Sequence, residues 1–365
     1  MTTIETTGPL LQPYRGAHLS LPNRIAMAPM TRGRADDRTG VPAAITGDYY
    51  AQRAAAGLIV SEGIWPNGLG KGGPGIPGLV TDEQVAGWRQ VTDAVHVSGG
   101  RIFAQLWHVG RMSHPRTLGE LPVAPSARAV SGTIFTADGW LDHVTPRAMA
   151  TAEVDATIRD FAAAARNAIR AGFDGVELHG ANGYLIQQFL AENTNLRSDG
   201  YGGSRSGRLR LVVEAVEAVV AEVGADRVGL RISPDNPEND IAEQDPEGTY
   251  RALVDAIEPL GLAYLHIVER GNYPALADLR PRWPGTLIAN FNGPEPTTQQ
   301  AGERVLRSGL ADVMSFGRLF ISNPDLPRRF AGGHPLAPVN ADHVYGGDDR
   351  GYTDYPAVEA LFRRS

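Results

Sequence analysis

The stretch "DGVELHGANGYLIQQFL", residues 174–190, decides how this chain folds. It opens with a short, nearly continuous apolar run, as expected for a parallel strand buried on both faces. The run stops at His179, and Asn182 and Tyr184 follow before a second apolar segment begins. An imidazole, an amide and a phenol therefore crowd the lip of a buried strand. They either satisfy one another within a loop or grip a ligand, and the residues alone leave both open.

Working outward, seven further runs share this character: "RIAMAPM" (24–30), "GLIVSEG" (57–63), "RIFAQLW" (101–107), "VGLRIS" (228–233), "YLHIVE" (264–269), "TLIAN" (286–290) and "DVMSFG" (312–317). Helical segments separate most of them. The clearest begins at Thr151, read as its N-cap, repeats apolar residues at Val154, Ile158, Phe161, Ala165 and Ile169, and stops at Gly172. Others are expected over 207–223, 247–259 and 294–308, the last beginning at Pro294. Strand and helix alternating eight times is the α/β pattern of a (β/α)8 TIM barrel, with an incomplete doubly wound sheet as the runner-up.

A Pro-rich stretch between the third run and the helix at 151 is too long for a simple connection. Residues 113–150 are expected to form a cap or lid insertion after the third strand, placed over the mouth. No linker or internal repeat beyond the βα unit interrupts the chain, so residues 1–365 read as one domain. The tail from Ala331 to Ser365 reads as loop plus a short final helix.

Composition removes several function classes. The chain carries 34 basic and 41 acidic residues, net charge −7, with no like-charge block, which argues against a nucleic-acid surface or a polybasic membrane patch. Cys is absent, which excludes disulfides, thiolate nucleophiles, iron–sulfur clusters and cysteine-ligated zinc. The opening "MTTIETTGPLLQPYRG" lacks the regions of a signal peptide, and no apolar window is long enough to cross a membrane. A soluble cytoplasmic protein, monomer or homodimer, is expected.

Chemistry in such a barrel collects at the C-terminal ends of the strands. There the chain places Pro29-Met30-Thr31, Ser61-Glu62, Gln105-Leu106-Trp107-His108, His179, Arg231, Glu269, Asn290 and Gly317-Arg318. No carboxylate pair suited to glycoside hydrolysis is present, and the histidines are spread without metal-ligand spacing, so no metal is expected. The end of the eighth run offers backbone N–H groups at Gly317 and Arg318, where barrels often bind phosphate; an Arg-capped loop is the alternative. "GKGGPG" (70–75) matches a dinucleotide-binding pattern only formally, because Pro74 and Pro77 forbid the helix that would receive a pyrophosphate.

Taken in order, "IAMAPMTRGRA", "FAQLWHVGRMS", "GVELHGANGYLIQQFLAENTNLRSDGYGGSRSGR", "VGLRIS", "FGRLFISNPDLPRR" and "GYTDYP" resemble the Old Yellow Enzyme family of FMN-dependent ene-reductases, from about Leu11 to Phe362. The resemblance implies a (β/α)8 barrel, non-covalent FMN, and NADPH or NADH as reductant. Gly317 and Arg318 would hold the FMN phosphate, with N–H donors added around Phe291 and Asn292. Gln105 would meet the flavin pyrimidine and Arg231 its N1 and C2 oxygen. Thr31 would reach the O4 side, the backbone of Pro29 and Met30 would line the ring, and Ser61 or Glu62 would lie nearby. His179 and Asn182 would donate to the oxygen of an activated alkene (an enone, maleimide or nitroalkene). Tyr184 would protonate its α-carbon, and Trp107 and Tyr352 would shape the pocket.

Three departures from the family's pattern stand out. Gly73 occupies a place where many relatives carry an aromatic, which should enlarge one wall. Phe291 replaces a frequent Gly, which preserves N–H donation unless φ must be positive. Thr31 stands where one subgroup has Cys, so the chain resembles the classical subgroup. Reductive denitration of nitrate esters, a flavin-assisted isomerisation, and a non-catalytic phosphate-binding barrel are the competing readings.

Overall fold

All eight apolar runs become parallel strands. The computed structural model describes residues 8–358. Its strands are β1 (Ile25–Met27), β2 (Leu58–Ile64), β3 (Ile102–Leu106), β4 (Gly175–Gly180), β5 (Val228–Ile232), β6 (Tyr264–Glu269), β7 (Leu287–Phe291) and β8 (Val313–Phe316). They pair in sequence order and close into a barrel, β8 meeting β1 at Met314↔Ile25. Helices including Asp82–Val97, Thr151–Arg170, Arg205–Val223 and Pro246–Ile257 return the chain between strands.

Two of the three apolar clusters follow from the strands, because residues two apart on a strand share a face. The larger lies between barrel and helices and contains Ile59, Leu106, Val176, Leu178, Leu230 and Ile267. The smaller contains Leu58, Phe103, Tyr264, Ile288 and Val313, together with Tyr14, Leu19 and Leu21 of an N-terminal hairpin. Gly175 and Gly229 leave space for two of its rings: a Cβ on either would lie 2.5 Å from Phe103 or 2.3 Å from Tyr264. Two residues further along the same strands the inner positions turn polar, with Gln105, Glu177, Arg231, His266, Asn290 and Ser315 all buried. The barrel thus has a dry lower layer and a hydrogen-bonded upper one.

Some expected boundaries move. Thr151 is the first helical residue rather than the cap: the Ala150 N–H donates to Glu153, and the Thr151 hydroxyl donates to Asp199. The last long helix starts at Gln299, not Pro294. Pro294 and Pro296 disfavour helical backbone in the residues before them, and the Thr298 hydroxyl accepts from the Ala301 N–H to start the helix. After a single 3-10 turn, Gly68–Gly70, the 70–75 segment is loop, as Pro74 and Pro77 require.

Between β3 and the helix at 151 lie a short helix, Pro115–Leu118, and an antiparallel hairpin, Thr133–Thr136 with Gly139–Asp142. This insertion reaches the loop after β5: Ser131 bonds Asp240, and Arg111 donates to the Asn239 carbonyl. It therefore stands at the C-terminal end of the barrel. Residues 333–357 are mostly loop; the final helix expected in the tail falls largely outside the described residues. No described helix is long and apolar enough to cross a membrane.

Candidate active site

At the C-terminal mouth lies a cavity of about 330 Å³, within the size range of small-molecule sites. Its lining includes Pro29, Met30, Thr31, Asn182, Arg231, Phe291, Asn292, Gly317 and Arg318, so nine of the residues singled out by sequence share one space. Gln105, His179 and Trp107 are buried, while Tyr184 is half-buried. The Trp107 ring meets Tyr184 edge-on at 4.9 Å, and His179 lies 5.3 Å from Tyr184. Trp107 can sit here because β2 bulges between Val60 and Gly63, and a Cβ on Gly63 would fall 2.2 Å from the indole.

The opening triad is held by its loop. Asn182 adopts φ 56, a left-handed conformation that Asn tolerates better than most residues. Its N–H donates to the Ser233 hydroxyl at 2.8 Å, and its carbonyl accepts from Asn239 at 2.7 Å. Tyr184 precedes the helix Leu185–Leu190, whose first N–H donates to the His108 carbonyl at 3.0 Å. Burial, followed by the charge of Glu238, pushes the phenol above its ordinary value although a hydrogen bond from Asn239 opposes them. The phenol is therefore protonated across the physiological range. Burial, aided by Arg231 and His266, drives the His179 imidazole well below its ordinary value, so it is neutral and carries one N–H.

Beneath them runs a buried polar network that sequence reasoning missed. Glu177 accepts from Gln105 Nε2 at 2.8 Å and from the Tyr264 hydroxyl at 3.1 Å, and lies 2.8 Å from His266 Nδ1. His266 Nε2 meets the Ser315 hydroxyl at 2.8 Å. Arg231 donates to Asn290 Oδ1 at 3.0 Å, and Asn290 donates to the Ser315 carbonyl. A carboxylate and an imidazole inside apolar runs were the available signal, since neither is buried without partners. Asn236 and Asn239 were also missed, because their loop carries no regular pattern. So was Tyr345, 73% exposed and at the cavity rim.

Arg231 Nε, Trp107 Nε1 and His179 Nδ1 are buried without a partner. An unpaired guanidinium nitrogen at the foot of a cavity suits an acceptor-rich ligand edge, and Gln105 keeps its amide oxygen and a second N–H for such an edge.

Four of the expected site residues have partners of their own within the fold. Tyr352 is not among the residues lining this cavity; it is fully buried, stacked on Tyr49 at 4.1 Å with the Arg34 guanidinium 4.0 Å from its ring centre. Arg32 and Arg34 donate to carbonyls of residues 343–351, so this cluster anchors the segment that carries Tyr345. Glu62 is not in the cavity lining: its buried carboxylate accepts from the Arg32 and Gly33 N–H groups, each at 3.1 Å, and so fixes the loop that presents Thr31. The Asn292 N–H is directed to the Glu269 carbonyl. The Arg318 guanidinium donates to the Gly293 carbonyl at 2.6 Å and the Glu295 carbonyl at 2.7 Å, bracing the loop after β7 against β8.

The departures also resolve. Phe291 is not among the residues with positive φ, so a side chain there is unstrained. Gly73 is buried, and the Phe135 carbonyl of the hairpin lies 3.5 Å from where a Cβ would stand. The hairpin backbone covers this position.

Comparison with known proteins gives a consistent result. The NADH:flavin oxidoreductase / NADH oxidase family matches residues 9–337. "Putative 12-oxophytodienoate reductase 11" of Oryza sativa subsp. japonica is 39% identical over 370 residues, covering 97% of this chain and 98% of that protein. "Flavin oxidoreductase hxnT" of Emericella nidulans is 39% identical over 390 residues, covering 98% of this chain and 100% of that protein. Among solved structures, the old yellow enzyme homologue from Zymomonas mobilis (NCR) superposes with TM-score 0.92 at 40% identity, covering 95% of this chain and 99% of the other. Morphinone reductase in complex with tetrahydroNAD gives TM-score 0.91 at 42% identity, covering 96% and 98%.

Proposed function

The chain belongs to the NADH:flavin oxidoreductase / NADH oxidase family, the Old Yellow Enzyme family that its sequence resembles, and from that premise we propose that it is an ene-reductase acting on activated alkenes. It is an NAD(P)H-dependent flavin oxidoreductase. The observation that carries the finer reading is the convergence of Arg231, Thr31, Asn182 and Gly317 on one cavity, with Gln105, His179 and Tyr184 packed beside it.

These residues fit FMN. The Gly317 and Arg318 N–H groups would take the phosphate. The unpartnered Arg231 Nε and the fixed Gln105 amide would take the pyrimidine edge. Thr31 would face the opposite side of the ring. The chemistry FMN supplies when bound is hydride transfer, from the nicotinamide to its N5 and from N5 to the β-carbon of the alkene.

The protein's part is electrostatic and acid catalysis. As the β-carbon gains hydride, negative charge builds on the carbonyl or nitro oxygen. Asn182 and neutral His179 each donate one hydrogen bond to that oxygen, and one such donor is worth about 2.7–4 kcal/mol. Tyr184, held protonated, gives its proton to the α-carbon. The buried Arg231 cation would favour negative charge on the ligand edge beside it. Trp107 packs edge-on against Tyr184 and would hold the phenol in place for the transfer.

The test is anaerobic. The purified yellow protein is titrated with NADPH or NADH until the flavin bleaches, then mixed with 2-cyclohexenone, N-ethylmaleimide or a nitroalkene. Reoxidation with formation of the saturated product supports the reading. A flavin that nicotinamide cannot reduce, or that no activated alkene reoxidises, overturns it.

A further inference from the structure

An asparagine serves a substrate oxygen only if its nitrogen faces it; rotated by 180°, the amide sets lone pair against lone pair. At Asn182 that choice is made by a chain of donors. The Glu238 N–H can only donate, and it meets Asn236 Oδ1 at 3.2 Å. The far end of the Asn236 amide is therefore its nitrogen, which donates to Asn182 Oδ1 at 3.1 Å. The Asn182 oxygen is thus engaged, and its Nδ2 is left for the cavity that Asn182 lines. The backbone of Asn182 is pinned on both sides by Ser233 and Asn239, so the side chain has little freedom to escape this register.

Asn236 itself is fully buried and absent from the cavity lining, so it acts only through Asn182. We propose that Asn236 is a positioning residue that locks the Asn182 amide with its donor facing the substrate, making the site selective for ligands with a bare acceptor over ligands with a hydroxyl donor. This rests on the reading of the site given above.

The experiment measures binding of two unreactive ligands of one shape, cyclohexanone and cyclohexanol, by perturbation of the flavin absorbance. Wild type is expected to favour the ketone. Asn236→Asp keeps the acceptor for Glu238 but offers Asn182 only another acceptor, so the Asn182 amide turns over. At pH 8 the ketone should bind about tenfold more weakly, equivalent to about 1.4 kcal/mol, while the alcohol is unaffected or gains. Asn236→Ala removes the lock without reversing it and should lower the ketone-to-alcohol ratio about threefold, consistent with one modest hydrogen bond. Should the Asp variant fail to load flavin, the Ala variant carries the test. Equal weakening of both ligands, or an unchanged ratio with wild type still binding ketone, overturns the lock alone. Wild type that binds no ketone overturns the reading of the site and the lock with it.

Discussion

Gln105 donates its amide hydrogen to Glu177 at 2.8 Å, at the floor of the candidate site. Burial alone would raise the Glu177 carboxyl, but His266, Arg231 and Gln105 outweigh it and hold the group below the usual carboxylate range. Glu177 is therefore a buried anion balancing the Arg231 cation. Replacing it by Gln removes that balance and leaves Arg231 to act on the flavin undiluted. The flavin midpoint potential should rise in Glu177→Gln, read by equilibration with a redox dye. Stability should fall by roughly 1–3 kcal/mol, since Gln cannot satisfy all of the buried groups that meet the carboxylate. An unchanged potential would remove Glu177 from any influence on the cofactor.

Tyr184→Phe should keep flavin binding and its reduction by nicotinamide while slowing alkene reduction by about 10²–10⁴, the usual worth of a positioned acid. Because burial raises the phenol, wild-type alkene reduction should show no loss from Tyr184 ionisation up to about pH 10, the ordinary tyrosine value. Unchanged turnover of 2-cyclohexenone by the variant would exclude Tyr184 as the proton donor.

Acid should destabilise the fold through its histidines. Burial holds His108 down to about 3, and His179 and His266 are also lowered. A depressed folded value means the unfolded chain binds more protons below about pH 6.5, so the stability these groups contribute is present above that pH and is lost as pH falls. Thermal unfolding between pH 7.5 and 5.5 should show a falling midpoint, with the fall lessened in His108→Gln. A midpoint that rises toward pH 5.5 would contradict this assignment.

Tyr352→Ala tests whether Tyr352 serves the core or the pocket. Loss of a fully buried ring stacked on Tyr49 and covered by Arg34 should cost about 3–5 kcal/mol in urea unfolding, with flavin binding retained. Weaker substrate binding at undiminished stability would return Tyr352 to the pocket.

The sequence disclosed the barrel because buried parallel strands are apolar on both faces and each is short and bounded. It also disclosed the mouth, since polar residues such as His179, Arg231 and Asn290 end those runs. Hydrogen-bond partners were not legible. Glu62 looks like a strand-end ligand, yet which backbone N–H groups it meets depends on how the loop at Arg32 and Gly33 folds back. Tyr352 shares a short motif with pocket residues, but its neighbours Tyr49 and Arg34 are some three hundred positions away in the chain and are brought to it only by closure of the barrel. Asn236 sits in a loop with no periodicity, so only coordinates could show its amide facing Asn182.

The most direct measurement of the central claim is isotopic. The protein reduces 2-cyclohexenone once in ordinary water with nicotinamide deuterated at the transferred position, and once in D2O with undeuterated nicotinamide. The account predicts cyclohexanone from both, with deuterium at the β-carbon in the first and at the α-carbon in the second. Formation of 2-cyclohexenol, or deuterium on the carbonyl carbon, would contradict it.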